Sequence, residues 1–120
     1  MVMIIHQGDI FWVDLDEPAG SEPGYHRSYV VVQNNLFNHS RIHTVVMCAL
    51  TSNLQRARSP GNVLLEAGEG GLPQPSVVNI TQMFTIDKSV LGDYVGSLHP
   101  KRVAQIIEGI NLLIQPADAD

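Results

Sequence analysis

The spacing of apolar residues along the chain predicts a run of short strands followed by one helix. Gly8 to Leu15 (Gly-Asp-Ile-Phe-Trp-Val-Asp-Leu) alternates, with Phe11, Val13 and Leu15 on one face, the pattern of a half-buried strand. Tyr29 to Gln33 is continuous and β-branched, and Ile42 to Leu50, which contains the apolar run Val45 to Leu50, is a second such segment; both predict strands buried on two faces. Asn34 to Asn38, between them, predicts a turn or a single helical turn. Shorter strands are predicted over Asn62 to Glu66 and Ser76 to Gln82, with a glycine-rich turn at Gly68 to Gly71. Asp87 to Gly92, opening on Asp and closing on Gly, predicts a short capped helix. At Pro100 the period changes. Val103, Ile106, Ile107, Ile110, Leu113 and Ile114 recur at helical spacing, with Pro100 at the first position and Pro116 beyond the last, which predicts an amphipathic helix. Five or six closely spaced strands and one terminal helix predict a mainly β fold with α additions: a small, strongly bent antiparallel sheet or partly open barrel, its face or mouth covered by the helix.

At 120 residues the chain is expected to form a single domain, residues 1–120, around one core. With 44% hydrophobic and 16% charged residues it has the composition of a chain that buries that core. The single cysteine, Cys48, lies inside an apolar run and has no internal partner for a disulfide, so a bridge-stapled extracellular scaffold is excluded. Met1 to Ile5 is too short and lacks the cationic start of a secretory signal, and no apolar stretch reaches the roughly 20 residues of a membrane span. A soluble, cytoplasmic protein with no membrane partner is expected.

The net charge of −5 argues at first against a polyanionic ligand. Its layout changes the picture. Residues 1–22 carry five acids and no Lys or Arg, whereas residues 23–60 carry Arg27, Arg41, Arg56 and Arg58 and no acid. His26, His39 and His43 lie in the same segment. All four bases are Arg, whose planar fork suits bidentate phosphate contact. Clustering in sequence need not survive as clustering in space, so a cationic patch and a dispersed set both stay open.

Signatures for nucleotide-driven and α/β-hydrolase chemistry are missing: there is no phosphate-cradling G-x-x-x-x-G-K, no G-x-G-x-x-G after a strand and no G-x-S-x-G. His39 and His43 stand four apart with Cys48 near, but they lack further ligands at matching spacing, so no metal site is expected and Cys48 reads as a small core residue. Hydroxyl and guanidinium chemistry remains. Asp16 to Arg27 is a loop of about twelve residues with two Gly and two Pro, and loops of that length tend to be functional. Arg27 closes it just before one apolar strand, and Thr51 and Ser52 follow the end of the next. If the two strands are antiparallel neighbours, Arg27 and Thr51 meet. With Ser21 and Glu22 above them they would form a pocket for an oxyanion such as a phosphodiester. The alternative is an Arg27–Glu22 ion pair and a Thr51 that caps a turn.

These segments resemble the MazF/PemK family of toxin endoribonucleases. The likeness is carried by Gly8-Asp9-Ile10-Phe11-Trp12-Val13-Asp14-Leu15, by Gly20-Ser21-Glu22-Pro23-Gly24-Tyr25-His26-Arg27, and by Val30 to Asn34. It continues through Leu50-Thr51-Ser52-Asn53, Pro60 to Val63, Ser76 to Asn79, Gln82 with Thr85-Ile86-Asp87-Lys88, and Val95 to Leu98, covering roughly residues 6–114. The resemblance implies a small SH3-like antiparallel barrel of the MazF/PemK/CcdB-like toxin fold with a C-terminal amphipathic helix, assembled as a homodimer. It implies the toxin of a type II toxin-antitoxin system, a sequence-specific endoribonuclease that cleaves single-stranded mRNA without a metal or other cofactor and is neutralised by an acidic cognate antitoxin. Residue by residue, the catalytic pair falls on Arg27 and Thr51. RNA-binding positions fall on Ser21, Glu22 and Ser52, with a base-contacting position at Gln82. Two positions depart from the family pattern: Pro23 stands after Ser21-Glu22 where Gln is usual, and Ser28 follows Arg27 where Pro is usual. Pro23 stiffens the loop and Ser28 relaxes a restraint on the Arg27 backbone. The residues leave open whether Arg27, Glu22 or His26 is the general base. A non-catalytic toxin of the same fold that binds a protein target, as gyrase-poisoning relatives do, is the alternative.

Overall fold

The computed structural model describes residues 4–14 and 26–117. Six strands within them form one antiparallel sheet. In chain order they are β1 (Asp9–Asp14), β2 (His26–Val31), β3 (Thr44–Thr51), β4 (Val63–Leu65), β5 (Ser76–Asp87) and β6 (Leu91–Ser97), and across the sheet they run β4-β5-β3-β2-β1-β6. A single helical turn, α1 (Asn35–Asn38), links β2 to β3, and α2 (Pro100–Ile114) ends the described chain. No helix among the described residues is long and apolar enough to cross a membrane.

Strands β2 and β3 are two-faced, as their sequence predicts. Val30 and Cys48 point with Ile10, Leu65 and Val78 into a cluster that α2 covers through Ile106. Their neighbours Val31 and Met47 point with Val13, Tyr29 and Ile86 into a second cluster on the opposite face, where the Tyr29 and Phe84 rings meet edge to face at 6.0 Å. Burying a side chain such as Ile106 contributes about 2 kcal/mol. The sheet curls because its far ends touch. A Cβ on Gly96 of β6 would overlap the Gly70 carbonyl oxygen in the turn after β4. This contact nearly closes the sheet into a barrel.

Helix α2 spans the residues its periodicity predicts. It docks by two devices: Gly109 lies directly on the Gly61 backbone, and Arg102 grips Glu69 with both ends of its fork, Nε to Oε1 at 2.8 Å and a terminal nitrogen to Oε2 at 2.9 Å. Two expectations are corrected. Asp87 does cap a turn, accepting a hydrogen bond from the Ser89 N–H at 2.9 Å. That turn is a single 3-10 turn, Lys88–Val90, and not a helix reaching Gly92. The chain passes directly into β6, which pairs with β1. Strand β5 also runs on to Asp87, past Gln82, because a register break between Cys48 and Ala49 lets one strand serve both halves of β3.

Candidate active site

The site grows out of the β2–β3 ladder. Tyr29 pairs with Ala49, Val30 with Cys48 and Val31 with Met47. Continued two residues in the same register, Arg27 falls opposite Thr51. On its other side Arg27 pairs with Val13 of β1, and Ser28 with Trp12. The expectation that consecutive antiparallel strands bring Arg27 beside Thr51 therefore holds. The two residues line a pocket of about 220 Å³ together with Trp12, Ser28, Ser52 and Gln74, over Leu50 and Leu72. Among the described residues that line it, Arg27 is the one charged group, and it is cationic. A guanidinium in a lining that also carries the hydroxyls of Ser28, Thr51, Ser52 and Ser76 favours an anionic ligand.

Thr51 both caps a turn and lines the pocket beside Arg27. Its Oγ1 accepts from the Asn53 N–H at 3.2 Å, which turns the chain out of β3 into the 3-10 turn Leu54–Arg58. The hydroxyl proton can still be donated, since a hydroxyl is donor and acceptor at once. Ser52 is exposed at the lip of the pocket. Ser21 and Glu22 lie outside the described residues. The described part of His26 is its backbone, at the first position of β2 opposite Asp14.

Gln82 is placed apart from this pocket. It sits on β5 within the register break, where pairing jumps from Cys48–Met83 to Ala49–Asn79, and it does not line the Arg27–Thr51 pocket. The sequence also did not single out Trp12 or the segment Leu72 to Ser76, which form much of the wall. The signal available was the Pro-Gln-Pro sequence ahead of β5, a stiffened segment entering a strand.

The cationic segment is divided. Arg27 is the second residue of β2, and Arg56 and Arg58 lie in the turn after Thr51. Arg41, His39 and His43 precede β3, about 23 Å away along that strand. The His39 ring packs edge-on against His6 at 4.9 Å. Among the described residues no three of His, Cys, Asp and Glu are placed to hold a metal ion. Cys48 is a core residue, its thiol pushed up to about 12 by burial. Larger cavities lie between β4 and α2, about 700 Å³, and beside α1, about 570 Å³. Neither contains Arg27 or Thr51, so chemistry and not volume selects the site.

The family model of the PemK-like, MazF-like toxins of type II toxin-antitoxin systems matches residues 6–114. The chain belongs to this family. The resemblance carried by the Gly8–Leu15 and Gly20–Arg27 segments is thereby borne out. Among PemK/MazF relatives, endoribonuclease MazF6 of Mycobacterium tuberculosis is 38% identical over 112 residues, 93% of this chain and 98% of that protein. Endoribonuclease EndoA of Bacillus subtilis is 31% identical over 116 residues, 97% of this chain and 99% of that one. A mycobacterial endoribonuclease solved with its cognate antitoxin superposes with a TM-score of 0.74 at 25% identity, covering 95% of this chain and 99% of that one. MazF from Deinococcus radiodurans shares the fold, with a TM-score of 0.76 at 20% identity over 96% of this chain and 100% of that one.

Proposed function

We propose that this toxin endoribonuclease cleaves single-stranded mRNA by attack of the ribose 2′-hydroxyl on the adjacent phosphorus, at the pocket shared by Arg27 and Thr51. The observation that carries this reading is the register that sets Arg27 opposite Thr51 in a pocket whose described lining holds one charge, a positive one. In the reaction the 2′-oxygen forms a bond to phosphorus while the bond from phosphorus to the 5′-oxygen breaks. The 2′-hydroxyl proton passes to a base, and the departing 5′-oxygen takes up a proton. The products are a 2′,3′-cyclic phosphate, or the 3′-phosphate it hydrolyses to, and a 5′-hydroxyl. Negative charge gathers on the phosphoryl oxygens in the transition state, and the Arg27 guanidinium stabilises it there more than in the ground state. Thr51 donates its hydroxyl to a phosphoryl oxygen. Arginine is a poor base at neutral pH because it holds its proton above pH 12, so Glu22 or His26 would take the 2′-hydroxyl proton. Ser21, Glu22, Ser52 and Gln82 are the proposed RNA contacts, with Gln82 reaching a base outside the catalytic pocket.

The reading extends to partners and place. An acidic antitoxin would neutralise the toxin by occupying the groove that RNA uses, the protein would act as a homodimer, and its mRNA substrate would place it in the cytoplasm. The test is incubation of the purified protein with single-stranded RNA in EDTA, with mass analysis of the product ends. Cyclic phosphate and 5′-hydroxyl ends in EDTA support the proposal. Activity that returns only with a divalent ion, or cleavage of DNA of the same sequence, overturns it, and a folded protein that cuts nothing points to the toxin that binds a protein target.

A further inference from the structure

We infer that the pocket beside Arg27 is also a nucleobase subsite, in which a base next to the scissile phosphate stacks on Trp12 and is read by the side-chain amide of Gln74. This inference rests on the endoribonuclease reading above and names a specificity-determining residue for it. Trp12 lies on β1 opposite Ser28, one residue from Arg27, is half-buried, and lines the pocket. Stacking on an aromatic face is how proteins hold unpaired bases, whatever the base. Discrimination needs a polar group held still.

Gln74 meets that need through its backbone. It stands between Pro73 and Pro75, so its flanking φ angles are fixed and its own backbone is restricted by the proline that follows. The buried Ser76 donates its hydroxyl to the Gln74 carbonyl at 3.1 Å. At the other end, Leu72 is clamped by two backbone bonds, its N–H to the Glu69 carbonyl at 3.0 Å and its carbonyl from the Gly68 N–H at 2.8 Å. The Gln74 side chain is exposed while its backbone is pinned. A primary amide offers a donor beside an acceptor, the arrangement that pairs with a base edge. The volume of about 220 Å³ suits one base and excludes a duplex.

Two measurements decide the matter. The first is single-turnover cleavage of an RNA pool randomised around the cut, sequenced at the new ends. For Gln74→Ala the ratio between the best and worst base next to the scissile phosphate should shrink by about tenfold or more, with preferences at more distant positions retained. For Gln74→Glu, which only accepts, preference should move to a base presenting an amino donor. An unchanged preference profile in Gln74→Ala overturns the subsite while leaving the endoribonuclease reading intact. The second measurement does not need cleavage. Trp12 is the sole tryptophan in the sequence, so its fluorescence reports stacking directly. Short single-stranded DNA homopolymers, which lack the 2′-hydroxyl, should quench it, and an abasic strand of equal length should bind without quenching. Equal quenching by both strands, or by neither, overturns the stacking role. Base-dependent quenching in a protein that cuts no RNA would instead overturn the endoribonuclease reading.

Discussion

Thr51 illustrates how a residue's two hydrogen-bonding roles can be separated. Its Oγ1 accepts from the Asn53 N–H and so fixes the turn out of β3, while its hydroxyl proton is the part that the proposed mechanism uses. Thr51→Ala removes both and should slow single-turnover cleavage by about tenfold, the loss of one hydrogen bond to a charged transition state. Thr51→Ser keeps both and should stay within about threefold of the parent. Equal losses in the two variants would mean that the Thr51 methyl group and not its hydroxyl matters. The place of this residue beside Arg27 was legible in the sequence because it follows an apolar run that had to be a strand. Gln82 was only half legible. Its polarity was plain, but its place depends on the β3–β5 register break, which leaves no mark in the local pattern. Trp12 went unassigned because alternation alone cannot tell a core tryptophan from one lining a pocket.

Helix α2 was legible end to end, since Pro100, the apolar stripe and Pro116 all mark the same element. Strand β6 was not. It is an edge strand in which Leu91 is buried and Gly92, Asp93 and Tyr94 are exposed, so its strandedness comes from pairing with β1 and not from periodicity. Asp87 and Gly92 then mimicked the two caps of a helix. The docking of α2 makes two predictions. Gly109→Ala gains about 1 kcal/mol of helix propensity, but the added methyl would run into the Gly61 backbone, which cannot swing aside as a side chain can. Overpacking of this kind costs about 1–3 kcal/mol. The variant should therefore unfold at lower urea than the parent, and an unchanged midpoint would show that α2 docks more loosely than the structure indicates. The second concerns Glu69, whose carboxyl is held below its ordinary value of 4.5 chiefly by its hydrogen bond to Arg102. Because the folded-state value is lowered, the pair's contribution is fully present above about pH 4.5 and disappears as pH falls through that lowered value. Glu69→Gln should lose about 1 kcal/mol at pH 7, the usual size for a partly exposed bidentate pair. The difference from the parent should vanish in acid, and a difference that persisted at pH 2 would assign it to packing.

For the whole molecule, the surface at the end of α2 and along β4 bears on assembly. Leu112, Leu113 and Ile114 are exposed near the helix end, and Leu54 and Leu64 are exposed around the β4 edge. Apolar side chains beside an unpaired strand edge favour pairing with a second copy. Sedimentation at micromolar concentration should give twice the 13.1 kDa chain mass, and a species of one chain mass would contradict the homodimer. The acidic net charge averages over a cationic end of the chain's layout, because Arg27, Arg56 and Arg58 lie near the β3 exit while most acids lie elsewhere in the sequence. The account of function comes down to whether Arg27 acts on the transition state. The direct measurement is single-turnover cleavage of a short RNA by Arg27→Ala, with affinity measured separately on an analogue carrying 2′-deoxyribose at the scissile nucleotide. A rate lowered by about two orders of magnitude or more, with affinity falling far less, is the predicted result. Cleavage near the parent rate, or a deficit that lies wholly in binding, would contradict it.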